Sequence, residues 1–203
     1  MLSGTPPTAW NIPDLYVYED AADEVINLFD YFDDIEDADE DMTYEVVGNT
    51  NSSLFDSVDI DAYEGYGGYG GLYLDFAPDA YGEAELTVRA TDTDGLWVET
   101  SFTVNVESVN DAPVISGFFG TVGPVSYWTF SGMVTDVDDV VEGMVVTFGG
   151  VLSSYQVTAT VQSDGTFSLT DQFVGLQSGT ATAQTNDDEP LASNEAWYYV
   201  VIT

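Results

Sequence analysis

The stretch Glu83-Ala84-Glu85-Leu86-Thr87-Val88-Arg89-Ala90 alternates polar and apolar residues with a period of two. That is the spacing of a half-buried β-strand, not of a helix. Ser101-Phe102-Thr103-Val104-Asn105-Val106 repeats the pattern, as does Tyr155-Gln156-Val157-Thr158-Ala159-Thr160-Val161. Thr, Val, Tyr and Phe dominate these runs, and branched and aromatic side chains suit a pleated surface. Between the third run and Phe167-Ser168-Leu169 stands Ser163-Asp164-Gly165-Thr166, whose Asp-Gly pair predicts a two-residue hairpin. Asp20 to Phe32, with Val25, Ile26, Leu28 and Phe29, has room for one helical turn within a mainly extended or looped path. Many short strands punctuated by Gly, Asn and Asp predict an all-β chain of sandwich architecture.

Working outward, the clearest break is Glu107-Ser108-Val109-Asn110-Asp111-Ala112-Pro113. A strand ends there, polar residues follow, and Pro113 imposes an extended lead-in to the next strand. The expected organisation is a linker or added remnant at 1–11, a sandwich at 12–109, a short acidic linker at 110–113 and a second sandwich at 114–203. A joint this short is no floppy tether. A faint repeat relates the halves: Thr91-Asp92-Thr93-Asp94-Gly95-Leu96 matches Thr185-Asn186-Asp187-Asp188-Glu189-Pro190-Leu191, and Asp37-Ala38-Asp39-Glu40-Asp41 matches Asp136-Val137-Asp138-Asp139. Acidic loops at corresponding places predict two units of a longer array. Met1-Leu2-Ser3-Gly4-Thr5-Pro6-Pro7 has neither the basic leader nor the apolar run of a signal peptide. The last residues stop in mid-pattern, so the chain is expected to be a segment of a larger protein. No window approaches the roughly 18 consecutive apolar residues of a membrane span, which argues against membrane insertion.

Charge removes most other chemistry. The chain has 37 Asp and Glu, a single basic residue (Arg89), no His and no Cys, for a net charge of −36. Nucleic acid is excluded as a partner, because its phosphates need Lys and Arg. Without His or Cys there is no imidazole or thiolate metal site, no Ser-His or Cys-His nucleophile and no disulfide. Without Lys there is no Schiff base, no phosphate-gripping loop and no Lys-based crosslink. A glycosidase-type pair of carboxylates is nearly guaranteed somewhere among 37 acids, so its presence is uninformative, and small sandwiches rarely offer a deep cleft. The chain is therefore expected not to be an enzyme. With 44% apolar and 14% aromatic residues it has ample material for a core. What remains is oxygen chemistry, and its natural counterpart is a hard cation such as calcium. Self-repulsion at this charge opposes compaction, so either the acids spread over a salt-adapted surface or some converge on bound cations.

Several motifs resemble a known family. Val17-Tyr18-Glu19-Asp20, Leu28-Phe29-Asp30-Tyr31-Phe32, Thr43-Tyr44, Ala77-Pro78-Asp79-Ala80-Tyr81-Gly82, Val88-Arg89-Ala90-Thr91-Asp92 and Val109-Asn110-Asp111-Ala112-Pro113 resemble bacterial cadherin-like repeats of the dystroglycan type, over about residues 11 to 113. The second half is similar to bacterial Ig-like repeats through Gly149-Gly150-Val151-Leu152, Asp164-Gly165-Thr166-Phe167 and Ser193-Asn194-Glu195-Ala196. The resemblance implies two tandem Greek-key β-sandwich modules, cadherin-like and then Ig-like, from a large extracellular or cell-surface protein. It implies Ca²⁺ between modules, held by Glu19, Asp79, Asn110 and Asp111 with Asp136, Asp138 and one of Asp187 or Asp188. It also implies a second set, Asp37, Asp39 and Asp92, facing a preceding module. The linker lacks the fuller Asp-x-Asn-Asp-Asn run of animal cadherins, and no second carboxylate follows Asp79 two residues on. Alternate residues of an extended Asp-x-Asp loop can project toward one cation, yet acid-rich loops also read as solvated surface. The expected function is structural and adhesive, with neighbouring repeats, glycans or a like module on another cell as partners. The alternatives are a salt-adapted spacer and a carbohydrate-binding module using aromatics on a sheet face or Tyr66 and Tyr69 of the Tyr/Gly-rich tip, which also reads as a plain Gly-rich hairpin.

Overall fold

The computed structural model describes residues 4–61 and 70–202. The chain divides into two compact units, Met1–Val109 and Asn110–Thr203. Both are all-β. Among the described residues no helix is long and apolar enough to cross a membrane.

Unit 1 contains β1 (Thr8–Ala9), β2 (Leu15–Tyr18), β3 (Glu24–Asn27), β4 (Phe32–Asp33), β5 (Thr43–Asn49), β6 (Phe55–Asp61), β7 (Gly71–Phe76), β8 (Gly82–Thr91) and β9 (Trp97–Glu107). One sheet runs β2-β9-β8-β5 and the other β3-β7-β6, a Greek-key sandwich in which β2 runs parallel to β9 and the other pairs are antiparallel. The alternation in β8 turns Ala84, Leu86, Val88 and Ala90 fully inward, where they meet Phe102, Val104 and Val106 of β9 and Leu72, Leu74 and Phe76 of β7. Burying a Leu or Phe side chain contributes about 1.5–3 kcal/mol, so this layer holds the two sheets together. Residues 20–32 form β3 followed by one short 3-10 turn, Leu28–Asp30. Residues 1–11, expected as a linker, instead contribute β1, which pairs with β4, and Ile12 just beyond is 1% exposed in the core.

Unit 2 contains β10 (Val114–Val122), β11 (Tyr127–Thr135), β12 (Val145–Gly150), β13 (Thr158–Thr160), β14 (Thr166–Gln172), β15 (Gly179–Gln184) and β16 (Ala196–Val200). Its sheets are β10-β11-β14 and β13-β12-β15-β16. An aromatic core joins them: Phe130 lies 5.8 Å from the Trp128 ring and 5.7 Å from Phe173, and Phe148 lies 6.0 Å from Phe167. Gly120 and Gly132 make room for these rings, since a Cβ would come within 2.8 Å of Phe130 and 2.6 Å of Phe167 respectively.

The Asp164-Gly165 turn corrects one expectation. It is tight, with Gly165 at φ +79° and Asp164 Oδ1 accepting from the Thr166 amide and hydroxyl. Yet the strands it joins, β13 and β14, belong to different sheets, so it is a crossing between layers and not a hairpin. Ala159, Val161 and Phe167 all enter the same core, which the two sheets share. The preceding strand is also shorter than 155–161, because Ser153–Tyr155 form a 3-10 turn and Gln156 takes φ +52°. Tyr66 and Tyr69 lie outside the described residues.

Acids also sit on the sheets of unit 1. Burial raises the carboxyl pKa of Asp75 on β7 above the ordinary 3.8, helped by Asp23, with which it shares a hydrogen bond, and by Asp56 and Asp59. A raised folded value means that the stability this group supplies is present at low pH and lost as pH rises through that value. In chelator, lowering the pH from neutral toward 3.8 is therefore expected to raise the unfolding midpoint of unit 1. Asp75→Asn should raise that midpoint at pH 7 and flatten its pH dependence, measured by calorimetry.

Candidate metal centre

The acidic loops of unit 2 are shaped by carboxylates that capture backbone N–H groups. After β11 the chain leaves the sheet at Asp136, whose Oδ1 accepts from the amides of Asp138 and Asp139, both at 3.0 Å. This folds residues 136–139 into a turn and draws Asp136 and Asp139 together. After β15, Asp187 is 8% exposed and its Oδ1 accepts from Leu191 N at 2.8 Å, closing the 187–191 loop. One carboxylate oxygen each from Asp136, Asp139 and Asp187 then lie within 4.8 Å of one another. The segment that opens the unit is tied to the same loops: Asn110 Nδ2 donates to Asp187 Oδ2 at 2.9 Å, and Asp111 N donates to Asp138 Oδ2 at 2.9 Å.

These bonds leave oxygens over. Asp136 Oδ2, Asp138 Oδ1 and Asp139 Oδ2 are buried and accept no hydrogen bond. A buried, unpaired charge is costly. Burial accordingly raises the Asp139 carboxyl pKa, and the charges of Asp136, Asp188, Asp187 and Asp138 push it the same way. No side chain in the protein can relieve this. The sole basic residue, Arg89, is bound to Glu99 at 2.7 Å and lies over the Trp97 ring, both in unit 1. Converging hard oxygens without a partner are the donor set of a divalent cation that takes six to eight oxygens at about 2.3–2.6 Å.

Unit 1 repeats the device. Asp34 Oδ1 accepts from the amides of Glu36 and Asp37 at 2.8 and 3.0 Å, its Oδ2 is buried without a partner, and Asp92 Oδ1 accepts from Leu96 N at 2.8 Å. Asp34-Ile35-Glu36-Asp37 thus stands where Asp136-Val137-Asp138-Asp139 stands in unit 2, and Asp92–Leu96 where Asp187–Leu191 stands. One difference is that the Asp37 carboxylate is taken by Thr93, accepting from its amide at 3.0 Å and from its hydroxyl at 2.9 Å.

The remaining expected residues fall as follows. Asp39 lies on a separate 3-10 turn, Asp39–Asp41, where burial first, and then Asp33, Glu40 and Asp30, raise its pKa. Asp188 is exposed and lines a groove beside the cluster. Glu19 is 3% exposed, and its Oε1 accepts from Val109 N while its Oε2 is buried without a partner. Asp79 takes φ +54° and donates its N–H to Asp20 Oδ1 at 3.3 Å. Sequence reasoning missed Asp34, Asp139 and Asp20. The signal for the first two is an acid three residues apart from another with an aliphatic residue after the first.

No protein-family model and no curated protein matches this chain. Among solved structures it is similar to the human desmocollin-1 ectodomain (18% identity, 98% of this chain and 37% of that one, TM-score 0.46). It is similar to repeats EC21-23 of human CDH23 (17% identity, 98% and 70% covered, TM-score 0.47) and EC22-24 of mouse cadherin-23 (18% identity, 97% and 64% covered, TM-score 0.45). The chain thus spans little more than a third of the desmocollin-1 ectodomain's length.

Asp139→Asn removes one of the crowded charges while keeping the shape. It is expected to raise the unfolding midpoint of the protein in chelator and to weaken calcium binding at least several-fold, read by calorimetry and calcium titration.

Proposed function

We propose that this chain is a calcium-binding, calcium-stiffened structural and adhesive segment of a large bacterial extracellular protein, and not an enzyme. The observation that carries the reading is the set of buried, partnerless oxygens of Asp136, Asp138 and Asp139 beside Asp187, in a chain with no Lys and one committed Arg. Calcium accepted by Asp136, Asp139 and Asp187 cancels the repulsion that folding creates. The Asp34, Asp37 and Asp92 loops offer unit 1 a corresponding place once Asp37 releases Thr93. Glu19, Asp20 and Asp79 of unit 1 are further acids that a cation could engage, and Asp111 of unit 2 belongs to the same expected set.

The proposed stiffening rests on chain ends that are each tied within their own unit. The last residue of unit 1, Val109, donates to Glu19, and the first two of unit 2, Asn110 and Asp111, hold Asp187 and Asp138. A cation that fixes these carboxylates also fixes the peptide bonded to them. The proposed partners are neighbouring repeats of the same protein, with glycans or a like module on another cell beyond them.

The test is thermal unfolding in calcium and in excess chelator at constant ionic strength, with magnesium as control. A ligand at 100 times its Kd adds about 2.7 kcal/mol to stability, and a domain of 60–100 residues shifts by about 4–8 °C per kcal/mol. A calcium-specific rise of roughly ten degrees is expected, largely abolished in Asp136→Ala/Asp139→Ala. Equal action of calcium and magnesium at matched salt would contradict the reading and leave a salt-adapted spacer.

A further inference from the structure

Unit 2 carries a second feature that calcium does not account for. Its charge is confined to loops: in the seven strands the single ionisable acid is Asp171 on β14, and β12, β13, β15 and β16 have none. In a chain of net charge −36, a sheet face free of charge stands apart from its surroundings. On that face Trp197 and Tyr199 of β16 are 69% and 57% exposed. Two residues apart on one strand, their side chains project to the same side about 7 Å from each other. Neighbouring exposed rings on an uncharged face are a feature that interaction sites share.

The register shows what lies beside them. Trp197 pairs with Thr182, which pairs with Gly149; Tyr199 pairs with Thr180; Gln184 pairs with Thr147, which pairs with Thr158. Neighbouring strands are about 4.8 Å apart, so the rings border a field of hydroxyls and one amide. Gly149 keeps that floor low, because a Cβ there would meet Thr182 Oγ1 at 2.5 Å. A groove of about 730 Å³ continues over Thr147, Gln184 and Val145, with Asn186, Asp188 and Glu142 at its rim. The opposite sheet differs: there Thr129 bonds Thr170 at 2.8 Å and Ser131 bonds Ser168 at 3.1 Å, hydroxyl to hydroxyl. Among the described residues, Thr147, Thr158 and Thr182 spend their hydroxyls on no protein group.

We infer that this face binds an uncharged polysaccharide. The rings offer flat surfaces for the apolar C–H faces of sugar rings, and the Thr hydroxyls and the Gln184 amide oxygen supply the few placed polar groups that orient a ligand in such a groove. Charge selects the class. The rim acids and the field of the whole protein repel sulfated and uronic acid chains, and the strands beside the rings carry no charged group of their own. This inference stands apart from calcium binding, since none of the ring or floor residues is an acid.

The test is affinity electrophoresis of the full chain, calcium present, through gels containing glucomannan, β-glucan or galactomannan, with fucoidan and alginate as anionic controls. Retardation by at least one neutral polysaccharide is expected. It should weaken at least tenfold in Trp197→Ala, fall in part in Tyr199→Ala and Gln184→Leu, and persist in Trp97→Ala, which removes a comparably exposed ring from unit 1. Trp197→Phe keeps a ring and should retain part of the binding, which separates loss of stacking from loss of fold. Absence of retardation by every neutral polysaccharide, retardation by the anionic chains alone, or full retardation of Trp197→Ala would overturn the inference. So would a concentration-dependent dimer in sedimentation that Trp197→Ala abolishes, which would assign the face to a second copy.

Discussion

Repulsion among carboxylates that no side chain can neutralise is the constraint on which the rest of this protein depends. With 37 acids and one Arg, ordinary ion pairing is scarce, and among the described residues the one pair that forms, Arg89 with Glu99, lies on a sheet of unit 1. Every other buried carboxylate must find a backbone N–H or a neutral side-chain donor, share a proton or meet an external cation. The loops use the first route as far as geometry allows. Asp34, Asp92, Asp136 and Asp187 each spend one oxygen on backbone amides, which fixes the loop, and in Asp34 and Asp136 the second oxygen is left buried without a partner.

The sandwich makes this arrangement repeatable. In both units, one acidic turn follows an early strand and the other lies in the connection before the last strand, so two loops distant in sequence are held side by side by the sheets. Apolar cores of ordinary composition, Leu and Val in unit 1 and stacked aromatics in unit 2, supply the stability that the acids erode. The loops can then be tuned for ligands with little effect on the layers below. The same separation explains the charge-free strands of unit 2, since acids concentrated in loops leave a sheet face open to a different kind of partner.

The strands were the legible part of the sequence, because period-two alternation directly encodes which residues face the core, as in β8 and β9. Which sheet a strand joins was less so: Asp164-Gly165 has the chemistry of a hairpin turn, yet the strands it joins pair in different sheets. The acidic loops were legible as loops, but the turn each one folds into was not. Reading Asp-x-Asp as extended pairs Asp37 with Asp39 and Asp136 with Asp138. In the folded loop the first Asp captures the amides two and three residues on, which in unit 2 brings Asp139 as well as Asp138 beside Asp136. The choice between Asp187 and Asp188 also had a visible cue, since Asp92–Leu96 and Asp187–Leu191 share a four-residue spacing that closes each loop.

The most direct measurement is a crystal structure of the protein grown in calcium, with anomalous scattering used to locate the ion. The account requires a peak beside Asp136 Oδ2, Asp139 Oδ2 and Asp187, with oxygens at about 2.3–2.6 Å. A water in that position, or Asp136 and Asp139 turned out to solvent at saturating calcium, would contradict it.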